Sequence, residues 1–339
     1  MSVDTPGSDE PEAEREYLNL LLRAVNLAKD NVINRPDRGI TRLEQVKLCY
    51  FGIREFDLPV SYSWYLAGAH PYLHGDAAEA PQRMAVPGPY SRVDPGENEY
   101  VRRYRNYFES ETFFDHYDLR AIWFTNRYEF LEDFYEEFAP EEFRDLYLTS
   151  TEIQRRLAEL AGLVEIDSSN RTLSDFGTGT DVPIHSSSDE REFRMLVSDF
   201  HLELAEREKL SEIVPVITRS TDVLEQVMAR LTSLGSASPE QKEALNRLQD
   251  YFYYTLWRYP ALYISTQTAQ GPNQHKIVKD RGETFLRFQE TVLERRNELR
   301  EECHDAGLYP DAGHHSEQAD EEQLAHIHKM MRGVLEGSE

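Results

Sequence analysis

Residues 39–73 read GITRLEQVKLCYFGIREFDLPVSYSWYLAGAHPYL, and this stretch decides between a helical and a mixed fold. Thr41 is a good N-cap and Glu44, three residues on, completes a capping box. The helix it opens carries Leu43, Val46, Leu48, Tyr50, Phe51 and Ile53. Asp57-Leu58-Pro59 ends that helix, and Val60 to Leu66 alternates as a short strand would. Residues 67–96 are rich in Gly, Pro and Ala and read as a long loop, a kind of segment that often carries function.

Working outward, helical signals dominate. Tyr17, Leu18, Leu21, Leu22, Val25 and Leu27 recur at helical spacing up to about Val32. An aromatic helix is expected from Asn98 to Phe108, another from Ile122 to Phe138, and a short one from Thr149 or Ser150 to Leu160. Leu163–Ile166 and Arg171–Leu173 form a candidate hairpin, which after a helix is the local order of a winged helix. Beyond a Gly-, Ser- and Asp-rich stretch at 174–190, the stripe Phe193, Leu196, Val197, Phe200 and Leu204 runs toward a break at Pro215. Ser238-Pro239-Glu240-Gln241 is a strong helix start, with an end expected near Tyr259-Pro260. Further helices are expected from Gly282 to Cys303 and from Ser316 to Val334.

The expected fold class is therefore mainly α. Residues 1–14 read as a disordered acidic start, and 15–173 as a helical domain with a small β element, winged-helix-like in order. The stretch 174–190 reads as a linker and 191–335 as an antiparallel helical bundle.

Charge describes the setting. The 339 residues carry 62 Asp and Glu against 37 Lys and Arg, a net charge of -25, and only seven of the basic residues are Lys. The carboxylates are spread along the chain and not gathered in a tail. In molar salt the Debye length is about 3 Å, so such a surface does not repel itself. The composition resembles that of haloarchaeal proteins, which makes the charge a report on habitat and leaves nucleic acid open as a partner. Cys49 and Cys303 match no metal or redox spacing. Residues 1–14 lack the basic start and apolar run of a signal peptide, and no segment has the apolar length of a membrane span. A cytoplasmic protein that does not enter the membrane is expected.

Ile40, Thr41, Leu43, Val46, Lys47, Leu48, Tyr50, Trp64, Gly68 and Pro71 together resemble the start of the Panacea antitoxin-domain family. The resemblance covers some 35 to 60 residues. It departs from the family pattern at Gly68-Ala69, while Gly88-Pro89-Tyr90-Ser91 follows twenty residues later. It implies protein binding, as in a toxin-neutralising or adaptor role, without catalysis or cofactor. On that reading Trp64, Tyr65, His70, Tyr72 and Tyr90 are the candidate partner-binding residues.

Two alternatives come from side-chain chemistry. Tyr100-Val101-Arg102-Arg103-Tyr104-Arg105 interleaves Arg with Tyr, as nucleic-acid surfaces do, and Lys276, Lys279 and Arg281 form a second basic cluster. His304, His314 and His315 are weak metal candidates among nearby carboxylates, suggesting a metal-dependent hydrolase. The sequence has no His-Glu-x-x-His, no Gly-x-Ser-x-Gly and no dinucleotide fingerprint. The aromatic run Tyr251 to Tyr259 is expected to fill a bundle core or an interface between copies of the chain.

Overall fold

The computed structural model describes residues 10–33, 40–72, 98–162, 187–234 and 237–309. Helices account for most of them, with two small two-stranded sheets, so the fold is mainly α. The chain divides into two compact units, one of Met1–Leu148 with Ala261–Leu286 and one of Thr149–Pro260 with Arg287–Glu339. Sequence reading placed the boundary instead at 174–190, where residues 174–186 lie outside the described residues.

The first unit begins with α1 (Glu10–Val32), whose buried Leu18, Leu21, Ala24, Val25 and Ala28 form a continuous stripe. Helix α2 (Arg42–Glu55) has the expected capping box between Thr41 and Glu44. Its buried face is less apolar than expected: Leu43 and Val46 are only half-buried, whereas Lys47 is fully enclosed. Gly52 lets α1 and α2 approach closely, since a Cβ there would stand 2.7 Å from a Leu21 methyl and 3.2 Å from Phe108.

Residues 62–71 form an antiparallel hairpin of β1 (Tyr62–Tyr65) and β2 (Gly68–Pro71), with Tyr65 opposite Gly68. The expected loop from 67 onward is thus a strand through Pro71, and 73–97 lie outside the described residues. Local composition hides β2 because Gly-Ala-His-Pro has little strand propensity; pairing with β1 makes it a strand. Helix α3 (Glu99–Ser110), capped by Asn98, packs on α1 through Val101, Tyr104 and Phe108.

A second hairpin, β3 (Thr112–Phe114) with β4 (Tyr117–Asp118), was not expected. Its two-residue turn places Asp115 at φ +44, and the Phe114 and Tyr117 rings stack 4.7 Å apart. The single helix expected over 122–138 is two, α4 (Leu119–Phe124) and α5 (Arg127–Phe138). Asp118 caps the first through the Ala121 amide and Asn126 caps the second through the Tyr128 amide, so two local capping bonds outweigh helix continuity. Helix α6 (Arg144–Leu160) starts earlier than Thr149, after a 3-10 turn at Glu141–Phe143.

In the second unit α7 (Ser187–Ala205) and α9 (Val214–Leu231) pack on each other through Phe193, Val197, Phe200 and Leu204 against Ile217, Leu224, Val227 and Leu231. The short α8 (Glu208–Ser211) separates them, and Pro215 lies in the first turn of α9, where its missing N–H is not needed. Helix α10 (Pro239–Tyr251) has the expected Ser238–Gln241 capping box. The chain then stays helical through a π turn at Phe252–Leu256 into α11 (Arg258–Gln267). Pro260 ends nothing there: it follows the π turn, where the Trp257 amide already bonds to the Phe252 carbonyl five residues back and the regular i→i−4 ladder is interrupted. The aromatic run is core: Phe252 and Trp257 are enclosed and meet Phe200 at 5.8 and 6.4 Å.

Helix α12 spans Gln274–Asp305, eight residues more at its start than the Gly282 expected. The candidate hairpin at 163–173 and the helix expected at 316–334 lie outside the described residues.

Candidate ligand groove

The hairpin β1–β2 organises the first unit. Trp64 and Tyr65 are 3% and 4% exposed, so both are largely interior, and Trp64 reaches the surface only where it borders the groove described below. Trp64 stacks on Phe134 at 5.7 Å and meets Tyr147 edge-on at 5.4 Å; the Tyr147 hydroxyl donates to the Tyr65 carbonyl. The other side of the strand is covered too. Ser63 and Ser265 hydroxyls are 2.7 Å apart, the Trp64 amide donates to Thr268 Oγ1, and the Arg281 guanidinium lies 3.9 Å over the Tyr65 ring. Burial along β1 does not alternate: Ser63, Trp64 and Tyr65 are all buried, and Tyr62 is half-buried.

Behind this strand sits Lys47. Its Nζ donates to the Ala67 carbonyl at the hairpin turn and lies 3.9 Å from the Phe134 centroid, 5.5 Å from Tyr135 and 5.9 Å from Trp64. Burial holds its pKa well below the usual lysine range. Gly68, at φ +87, completes this enclosure: a Cβ there would be 2.6 Å from Lys47 Nζ and 2.9 Å from Tyr135.

On the accessible edge of the same aromatic cluster is a groove of about 460 Å³ lined by Tyr50, Arg54, Tyr62, Trp64, Glu137, Phe138, Pro140 and Gln270. Each wall has a local reason. Tyr50 and Arg54 are one turn apart on α2, which puts them on one face. Glu137 and Phe138 end α5, and Pro140 follows it. Gln270 is held by a two-way backbone bridge with Tyr62, at 3.1 and 2.9 Å, and its side-chain oxygen accepts from the Tyr62 hydroxyl at 2.9 Å. Rings meet at the groove floor: Tyr50 packs against Tyr62, Trp64 and Phe138 at 5.6, 6.3 and 6.0 Å. Arg54 lies over Tyr50 and Phe138 at 5.7 and 5.2 Å. Burial raises the Tyr50 pKa and the nearby Arg54 charge opposes that rise, so the phenol stays protonated and can donate.

A protein family described as Domain of unknown function (DUF8098) matches residues 6–334. The chain belongs to this DUF8098 family. No curated protein and no solved structure matches it. The DUF8098 match spans both compact units and is not confined to the opening motif.

Sequence reasoning singled out the neighbourhood of the groove but few of its residues. Of the DUF8098 chain's expected partner-binding residues, only Trp64 lines it among the described residues. His70 and Tyr72 are half-buried at the far end of the hairpin. Tyr72 donates to Asp280, and burial, with that bond, pushes its pKa up to about 12. His70 Nδ1 is 2.7 Å from the Pro71 carbonyl; burial, Arg281 and Arg42 lower its pKa to about 4. Tyr90 lies outside the described residues.

The basic clusters do not converge on one site. Arg102 and Arg103 are exposed on α3, with Arg103 4.9 Å over Phe56, while Arg105 pairs with Glu109 at 3.4 Å. Lys279 is exposed and Lys276 half-buried on α12, and Arg281 is taken by Tyr65. His304 pairs with Asp305 at 3.6 Å; His314 and His315 lie outside the described residues. Among the described residues no group of three His, Cys, Asp or Glu could hold a metal ion, and no helix is long and apolar enough to cross a membrane. Cys49 and Cys303 are buried free thiols whose pKa burial raises to about 12, which suits packing and not reactivity. The groove residues Arg54, Glu137 and Gln270 gave no sequence signal, because each is an ordinary exposed polar residue until the fold brings it beside Tyr62 and Trp64.

Proposed function

We propose that this DUF8098 protein is a non-catalytic recognition protein, regulatory or adaptor-like, of a salt-adapted cytoplasm, and that it recognises its partner at the groove beside β1. The observation that carries the reading is the makeup of that groove. Its walls are ring faces, two phenol hydroxyls, one amide and two opposite charges, on backbone held by the β1–β2 pairing and the Tyr62–Gln270 bridge. Rigid aromatic anchors with a few directed polar groups are what recognition sites use. The resemblance of 39–73 to the Panacea antitoxin domain supports the same class of role, with a protein as partner. The acidic, Lys-poor composition supports the salt-adapted setting.

The test is capture from an extract of the source cells at molar KCl. A defined partner should be retained by the wild-type chain and lost on Tyr62→Ala and Arg54→Glu, with far-UV circular dichroism unchanged. A partner retained equally by both variants would place recognition elsewhere on the protein.

A further inference from the structure

Arg54 and Glu137 line the same groove, and among the described residues neither forms an ion pair, with each other or with any other group. Arginines of this chain include two groups, those paired with a carboxylate and those lying on rings, as Arg103 and Arg300 do. Arg105, Arg155, Arg156, Arg194, Arg207 and Arg247 each pair with a glutamate. Arg54 is instead held by ring faces, and its one hydrogen bond, to the Tyr50 hydroxyl, is long at 3.5 Å. Stacking uses the face of a guanidinium and leaves its N–H edge for a carboxylate. Gln270 is similarly part-used: its oxygen accepts from Tyr62, which leaves the NH₂ to donate.

We propose that the groove binds an α-amino acid with an aromatic or large apolar side chain. The carboxylate would lie on Arg54 with help from Gln270, the ammonium on Glu137, and the side chain against Tyr62, Trp64 and Phe138. Charge complementarity selects this occupant. A simple anion would leave Glu137 as a like charge in the same groove, and a simple cation would meet Arg54. A peptide terminus satisfies one of the two charges, whereas a free amino acid carries both, one carbon apart. The volume of about 460 Å³ falls in the range of about 300–1,000 Å³ typical of small-molecule sites. The proposal rests on the groove being the recognition site and makes the amino acid an effector of it.

The experiment is a calorimetric titration of the full-length protein with L-phenylalanine, L-phenylalaninamide, which lacks the carboxylate, and 3-phenylpropionate, which lacks the ammonium. Phenylalanine should bind with a dissociation constant at or below about 1 mM and each analogue about tenfold more weakly. Arg54→Gln should erase the preference over phenylalaninamide, and Glu137→Gln the preference over 3-phenylpropionate. Both side chains are exposed, so the variants should melt as the wild type does. Equal binding of the three probes, or preferences that survive in the variants, would overturn the proposal. So would absence of any binding at about 10 mM probe. Equal binding that Tyr62→Ala abolishes would overturn the amino-acid assignment alone and keep the groove as a recognition site. With no probe bound, the capture experiment decides the groove separately.

Discussion

The Lys47 amino nitrogen lies 3.9 Å from the centroid of the Phe134 ring, at a site closed to solvent. Two more rings and the Ala67 carbonyl complete its surroundings. The core of the first unit is thus built around a buried amine.

That amine sets a pH dependence. Its folded pKa is held well below the ordinary value of 10.5, so the unfolded chain binds the proton more readily. Stability should then rise with pH between the lowered folded value and 10.5. The slope should reach up to about 1.4 kcal/mol per pH unit, with the full cost present below that window and none above it. Lys47→Met removes the titrating group and should flatten this rise, which urea unfolding across the alkaline range would measure. Equal slopes in the two proteins would contradict a buried, depressed Lys47.

Gly68 and Gly307 separate two costs of adding a methyl group. Both have positive φ, +87 and +70, but only Gly68 is crowded, by Lys47 Nζ, Tyr135 and Trp64. Gly307→Ala should cost about 1–2 kcal/mol for the left-handed backbone. Gly68→Ala should cost that plus about 1–3 kcal/mol for overpacking. Denaturant midpoints of the two variants would show the difference; equal losses would mean that the Lys47 enclosure can yield.

Ser61 joins three distant parts of the chain. Its hydroxyl donates to Glu14 Oε1 at 2.7 Å and accepts from the Asn273 amide at 2.7 Å, while Asn273 Nδ2 donates to the same Glu14 oxygen at 2.8 Å. All three residues are buried. Ser61→Ala should cost about 1–3 kcal/mol because it strands buried polar partners. Glu14→Ala should cost at least as much, since two donors lose one acceptor. Losses near zero in thermal melts would show that water replaces the hydroxyl.

The charge density predicts the response to salt. A net charge of -25 repels itself when it is unscreened. Transfer from roughly 2 M to roughly 0.1 M KCl lengthens the screening distance severalfold and should lower the melting temperature. Unchanged melting across that range would remove the salt-adapted setting from the proposed function.

Much of the helical framework was legible locally. The capping boxes at Thr41–Glu44 and Ser238–Gln241 are short-range hydrogen-bond patterns and formed where residue types placed them. Elements that depend on distant pairing were not legible. Strand β2 exists through β1, and Pro215 and Pro260 read as breaks although one sits in the first turn of α9, where proline costs nothing, and the other follows a π turn. Of the groove, sequence singled out Trp64; Arg54, Glu137 and Gln270 come from three separate stretches of chain.

The sequence by itself determined the helical class, the major capping signals and the acidic surface, because these rest on spacing, local hydrogen bonds and composition. Tertiary structure alone decided that Trp64 and Tyr65 are interior, that Lys47 sits among rings, and that Arg54 and Glu137 share one groove. Burial and unpaired charge depend on what packs against a residue, and the packing partners of these lie tens to hundreds of positions away in the chain.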